Sequence, residues 1–233
     1  MGKSRLIGTV ALALTLATTA VAFAIDRNGT SGPDILIGTA GADTLNGLGG
    51  DDAIAGLGGD DRIDGGSDDD AINGDGDCPP PQAGASYYCL PGSDGNDRMF
   101  GGSGQDRMLG EGGNDRISGQ GDDDRIQGNA GNDRLIGGSG LDVIAGGSGR
   151  DHVTGGDGDD KLESHSGADK VTGGSGRDLI ETGSGNDRVL ARDRARDRVR
   201  CGRGRDVVVA DRSDKIARKG KQRCERVQFP RRR

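Results

Sequence analysis

Residues 101–136 read GGSGQDRML, GEGGNDRIS, GQGDDDRIQ and GNAGNDRLI, four nonapeptides in one unbroken phase. In each, position 1 is glycine, position 6 is aspartate and position 8 is isoleucine, leucine or methionine. The phase extends outward to sixteen units. They begin at Gly29, Gly38, Gly47, Gly56 and Gly65, resume at Gly92, and continue through Gly101, Gly110, Gly119, Gly128, Gly137, Gly146, Gly155, Ser164, Gly173 and Thr182. A short fixed period is the signature of a solenoid, in which each repeat stacks on its neighbours.

The position-6 residue never varies: it is Asp34, Asp43, Asp52, Asp61, Asp70, Asp97, Asp106, Asp115, Asp124, Asp133, Asp142, Asp151, Asp160, Asp169, Asp178 and Asp187. Glycine fills positions 1 and 4 in fourteen of sixteen units each. Glycine at those positions predicts a sharp turn with positive φ that aims carbonyl oxygens at one point. A carboxylate two residues after the second glycine adds charge to them. Hard oxygens around a spherical hole suit Ca²⁺, whereas Mg²⁺ demands a tighter octahedron and sheds water reluctantly. The sixteen aspartates are therefore the candidate metal ligands. The last three residues of each unit, as in Arg116-Ile117-Ser118, alternate as a very short strand with only the middle side chain inward.

These motifs, GGxGxDxUx with U aliphatic, resemble the RTX (hemolysin-type) calcium-binding nonapeptide repeats across residues 29–190. The resemblance implies an all-β, right-handed parallel β-roll with two nonapeptides per coil, each turn stacking on the turn eighteen residues later and calcium between them. From Gly74 to Pro91 the repeat dissolves into Cys78, Pro79-Pro80-Pro81 and Tyr87-Tyr88-Cys89 over eighteen residues. Eighteen is one coil, so this stretch is expected to be a loop elaborating one coil. If each site joins unit n to unit n+2, blocks of five and eleven units offer at most about twelve calcium ions.

Composition makes metal necessary. One aliphatic side chain per nine residues is a thin core for a glycine-rich chain, whose backbone loses much entropy on ordering. Residues 29–187 carry 28 Asp and 3 Glu against 10 Lys and Arg, net −21, which predicts self-repulsion without cations. Turns in which Asp68 and Asp122 replace the second glycine, or Ser164 and Thr182 the first, are expected to bind more weakly.

Residues 1–24 read as a secretory signal peptide, with Lys3 and Arg5, an apolar stretch from Leu6, and Ala22-Phe23-Ala24 before cleavage. No later segment is apolar enough to span a membrane. In an oxidising, calcium-rich exterior, sequence proximity favours Cys78–Cys89 and Cys201–Cys224 disulfides. Residues 191–233 read as a basic cap closed by the second of these. In it Asp197-Arg198-Val199 and Asp206-Val207-Val208 form degenerate coils with arginine replacing turn glycines. From 188 onward the chain carries net +12 and ends Arg231-Arg232-Arg233.

The chemistry of an enzyme is not visible. The two histidines, His152 and His165, form no His-Glu-x-x-His, and both are expected to be solvated. The reading is a secreted calcium-binding module that folds when calcium binds. Its rivals are an adhesin that meets an anionic surface polymer or extracellular matrix through the Tyr87-Tyr88 loop or the basic end, and a carbohydrate-modifying enzyme relative without a visible catalytic domain. Clustered arginine without interleaved aromatics gives no support for specific nucleic-acid recognition.

Overall fold

The computed structural model describes residues 24–75, 95–217 and 224–229, which form twenty-one strands and no α-helix. From β1 (Asp26–Asn28) to β21 (Arg226–Gln228), strands alternate between two parallel sheets. Odd-numbered strands build an eleven-stranded sheet and even-numbered strands a ten-stranded one, each in sequence order. Successive strands of one sheet pair eighteen residues apart, as Arg116 with Arg134 and Arg125 with Val143. Two nonapeptides therefore make one coil of a parallel β-solenoid. At ~4.8 Å per strand the stack runs for roughly 50 Å.

The position-8 side chains from Leu36 to Val189 fill the space between the sheets, and Val199 and Val208 continue the file. The strands are longer than the three residues expected. In the central coils they run six residues, from position 7 through position 3 of the next unit, as in Arg116–Gly121 and Arg134–Ser139. The buried position-1 glycine thus lies inside the strand. Positive φ falls at positions 2 and 4 instead, as at Gly138 (133°) and Gly140 (134°), while Gly137 has none. Position 1 is glycine for want of space. A Cβ at Gly29 would stand 2.5 Å from the carbonyl oxygen of Gly47 and 2.8 Å from Oδ2 of Asp34, closer than atoms can approach.

The interruption is also placed differently from expectation. The strand β5 (Arg62–Ser67) pairs directly with β7 (Arg98–Ser103), and β6 (Ala71–Asp75) with β8 (Arg107–Gly112). Both pairings span thirty-six residues, so the eighteen extra residues take up no coil. They enter inside one turn. Gly74, where a Cβ would collide with Asp97 Oδ2, holds position 1 of the Asp97 unit, and Gly95 holds position 4. Gly92, Tyr87-Tyr88 and the Cys78–Cys89 pair lie outside the described residues.

Past Val189 the pairing spacing becomes nineteen residues, Ile180 to Val199 and Val189 to Val208, then seventeen from Val199 to Ile216, and neither sheet breaks. A disulfide joins Cys201 to Cys224 with Cα atoms 5.0 Å apart. Among the described residues no helix is long and apolar enough to cross a membrane.

Candidate metal-binding edges

Each coil turns twice, so the aspartates fall into two files along opposite edges. Asp43, Asp61, Asp97, Asp115, Asp133, Asp151, Asp169 and Asp187 precede odd strands. Asp34, Asp52, Asp70, Asp106, Asp124, Asp142, Asp160 and Asp178 precede even strands. Within a file, from its second member on, Oδ1 of each carboxylate accepts a hydrogen bond from the backbone N–H of the aspartate one coil earlier. Asp115 N–H donates to Asp133 Oδ1 at 2.9 Å, and Asp133 N–H donates to Asp151 Oδ1 at 3.0 Å. The ladder crosses the interruption intact, Asp61 N–H donating to Asp97 Oδ1 at 2.8 Å and Asp70 N–H to Asp106 Oδ1 at 2.8 Å.

The second oxygen decides the chemistry. From Asp52 through Asp187, Oδ2 of every position-6 aspartate is buried with no hydrogen-bond partner. Leaving so many buried carboxylate oxygens unsatisfied is costly. Where position 1 is glycine, Oδ2 lies beside it, in most turns near the carbonyl oxygen of the position-1 residue one coil on, as with Asp133 Oδ2 and Gly146 O about Gly128. Side-chain and peptide oxygens thus converge along each edge. Among the described residues no group of three or more His, Cys, Asp or Glu side chains is placed to hold a metal.

The files are not uniform. In the first two turns the second oxygen is satisfied, Thr30 N–H donating to Asp34 Oδ2 at 2.6 Å and Thr39 N–H to Asp43 Oδ2 at 2.5 Å. At the other end, Asp197 and Asp206 extend both ladders and carry the same unpartnered Oδ2. Sequence reading saw these two aspartates in degenerate coils but did not count them as candidate ligands. The retained spacing of aspartate two before an aliphatic was the available signal. Asp75, at the base of the interruption, is a further buried carboxylate, its Oδ2 accepting from Gly95 N–H at 2.9 Å. Asp68 and Asp122, at position 4, take positive φ of 79° and 70°. Ser164 and Thr182 are buried at position 1. Their hydroxyls favour the ionised forms of Asp169 and Asp187, yet neither Oδ2 gains a hydrogen bond.

Burial, opposed by the backbone hydrogen bond to Oδ1, pushes these carboxyls upward. Asp61 and Asp115 rise to about 8, Asp70, Asp97, Asp124 and Asp160 to about 7, and Asp106, Asp151, Asp169 and Asp178 to about 6. Like charges one coil away add to the rise at Asp61 and Asp115. A file of carboxyls held near neutrality is poised to exchange protons for a cation.

The profile of the RTX calcium-binding nonapeptide repeat matches residues 28–77 and 91–189 in overlapping segments, more than half of the chain. The chain belongs to the RTX calcium-binding nonapeptide repeat family. No curated protein matches it. The RTX repeats account for the solenoid and for calcium as the metal of its turns, and a β-roll of this kind is a structural calcium-binding module. His152 is exposed on an odd strand. His165 occupies a positive-φ turn position at 65°, with Nε2 3.8 Å from Glu163.

Proposed function

We propose that this chain is an extracellular module whose activity is folding on calcium, and that the position-6 aspartates are its ligands. The observation that supports this is the file of buried, unpartnered Oδ2 atoms on each edge. Calcium, when bound, would supply the positive charge these oxygens lack. The chain's own part is to bring Oδ2 of successive aspartates and neighbouring peptide carbonyls to one line, while Oδ1 is held by the backbone ladder. Carboxylates that repel one another in the free chain then become the cross-links between coils. Asp34 and Asp43, whose second oxygens already have partners, are the weakest members, and Asp197 and Asp206 join the set.

Because the two blocks of repeats form one continuous stack, the twelve-ion ceiling, which assumed separate blocks, no longer applies. With Asp197 and Asp206 included, nine turns on each edge leave eight spaces between them, sixteen in all. Residues 1–24, of which all but Ala24 lie outside the described residues, support export by a cleaved signal. Extracellular calcium is abundant enough for modules with Kd values of ~10⁻⁴ to 10⁻³ M.

The test is far-UV circular dichroism during a calcium titration from chelator, with magnesium as control. A cooperative gain of β signal with calcium and none with magnesium is the expected result. A chain already folded in chelator, or a flat titration, refutes the proposal.

A further inference from the structure

The odd sheet carries on its outer face an array of charge that calcium binding leaves unused. The position-7 residues Arg62, Arg98, Arg116, Arg134, His152, Lys170 and Arg188 are direct cross-strand partners in one unbroken line. All seven are exposed. Neighbouring strands lie ~4.8 Å apart, so six full charges and one histidine repeat over roughly 29 Å. Like charges directly opposite each other destabilise a sheet. Acidic partners would relieve this, and on the even sheet two cations have them, Lys161 with Glu163 at 2.8 Å and Arg200 with Glu181, while Arg107 and Arg125 stand opposite each other without one among the described residues. On the odd sheet, no ion pair among the described residues engages any of the seven. Arg62 instead stacks on Phe100, 5.0 Å from its ring centre.

The flanking columns are uncharged over most of their length. On the turn side stand Asn96, Asn114 and Asn132, each amide linked to the next, Asn114 Nδ2 donating to Asn96 Oδ1 at 2.8 Å and Asn132 Nδ2 to Asn114 Oδ1 at 2.8 Å. On the other side, position 9 presents Ser118, Ile136, Thr154 and Thr172. Arg116, Arg134, Arg150 and His152 line a shallow groove with the asparagine amides, and the buried carboxyls of Asp115 and Asp133 lie at its turn side.

We infer that the outer face of the odd sheet is a binding surface for a linear, carboxylate-bearing polysaccharide lying along the solenoid axis across the cation ladder. Evenly spaced guanidinium groups pair with evenly spaced carboxylates. The asparagine and threonine columns offer hydrogen bonds to sugar hydroxyls, and Ile136 and Phe100 offer apolar contact to ring C–H faces. A single-stranded nucleic acid would want a series of exposed aromatic platforms, and Phe100 is the one aromatic among the described residues of this face. The inference rests on the calcium-dependent folding proposed above, because residues eighteen apart form a line only when the coils have stacked.

The test is retention of the calcium-loaded chain on immobilised hyaluronate, with neutral dextran and single-stranded DNA as parallel surfaces and circular dichroism recorded on every sample in calcium and in chelator. The variant Arg98→Gln/Arg116→Gln/Arg134→Gln/Arg188→Gln changes only outward side chains. It is expected to fold with calcium as the parent does, yet to bind hyaluronate at least about tenfold more weakly. A second variant, Arg231→Gln/Arg232→Gln/Arg233→Gln, is expected to bind within about twofold of the parent. Equal retention of the ladder variant, a larger loss in the tail variant, stronger retention on DNA, or no retention of the folded parent each overturns the inference. Folding in chelator with binding intact would refute the calcium switch and leave the ladder standing.

Discussion

The two edges of the solenoid carry the same carboxylate ladder on different sequences. On the even edge, position 1 is glycine from Gly29 through Gly173, departures fall at position 4, at Asp68 and Asp122, and the next coil carries Ala191 at position 1 and the one-residue slip. The odd edge admits the eighteen extra residues between Gly74 and Gly95, hydroxyl residues at Ser164 and Thr182, and the disulfide-bonded Cys201. Yet the ladder bonds are alike, 2.9 Å from Asp124 to Asp142 on one edge and 2.9 Å from Asp151 to Asp169 on the other. The N–H to Oδ1 ladder thus tolerates changes in the turn around it, and the odd edge is where the two largest additions, the eighteen residues and the disulfide, are attached.

Removing calcium is the severest way to test whether the edges are one system. Chelation is expected to abolish the β signal from both edges in a single transition. Hydrogen exchange showing one edge protected while the other opens would separate them.

The disulfide belongs to the odd edge, since Cys201 occupies its position 1. Replacing both Cys201 and Cys224 with serine frees a loop of 23 residues. It is expected to cost about 3 kcal/mol, read by denaturant unfolding in calcium. The loss should appear first as lowered hydrogen-exchange protection in β19 (Val207–Ala210) and β21, with the central coils unchanged.

Glycine replacement compares the edges directly. Gly146→Ser, on the odd edge, would place its Cβ 2.6 Å from Asp151 Oδ2 and 3.0 Å from the carbonyl of Ser164, beside a coil that already carries serine there. Gly155→Ser, on the even edge, meets Gly173 O at 2.5 Å and Asp160 Oδ2 closer still. The even-edge variant is expected to lose about 1–3 kcal/mol and the odd-edge variant less than half of that. Gly121→Ala, at position 3 with its nearest neighbour 3.6 Å away, is the control for an open site and should leave the unfolding midpoint unchanged. Equal losses at Gly146 and Gly155 would remove the distinction between the edges.

Acidity gives the smallest and most even-handed effect. A carboxyl raised above its ordinary 3.8 in the folded chain holds a proton that the unfolded chain releases. The metal-free fold therefore has this support in full below about pH 4 and loses it as pH rises through about 6 to 8, the range of Asp106 to Asp61. With calcium present the sign reverses, because protons and calcium compete for the same oxygens. Lowering the pH from 7.5 to 6 is expected to weaken the calcium midpoint by a factor of about ten, with protons released on binding. Calorimetry in buffers of different ionisation enthalpy checks this, and a midpoint indifferent to pH would contradict it.

Much of this was legible in the residues. The nine-residue phase required a solenoid, the constant aspartate marked the turns, and the single aliphatic position marked the core, because periodicity is a local property that stacking merely reuses. What stacking alone decided was every relation between residues eighteen or thirty-six apart. Whether the interruption took up a coil or left through a turn depended on which strand β5 pairs with, and both choices keep the same phase along the chain. The role of position-1 glycine was misassigned for a like reason: its constraint comes from a carboxylate and a carbonyl that only close coils bring against it. The cation ladder went unseen since Arg98, Arg116 and Arg134 stand eighteen positions apart in glycine-rich sequence, and a net charge of −21 conceals a line of arginines. Sequence by itself determined the unit and its candidate ligands. Tertiary structure decided which units touch, and so turned isolated side chains into two files of carboxylates and one of cations.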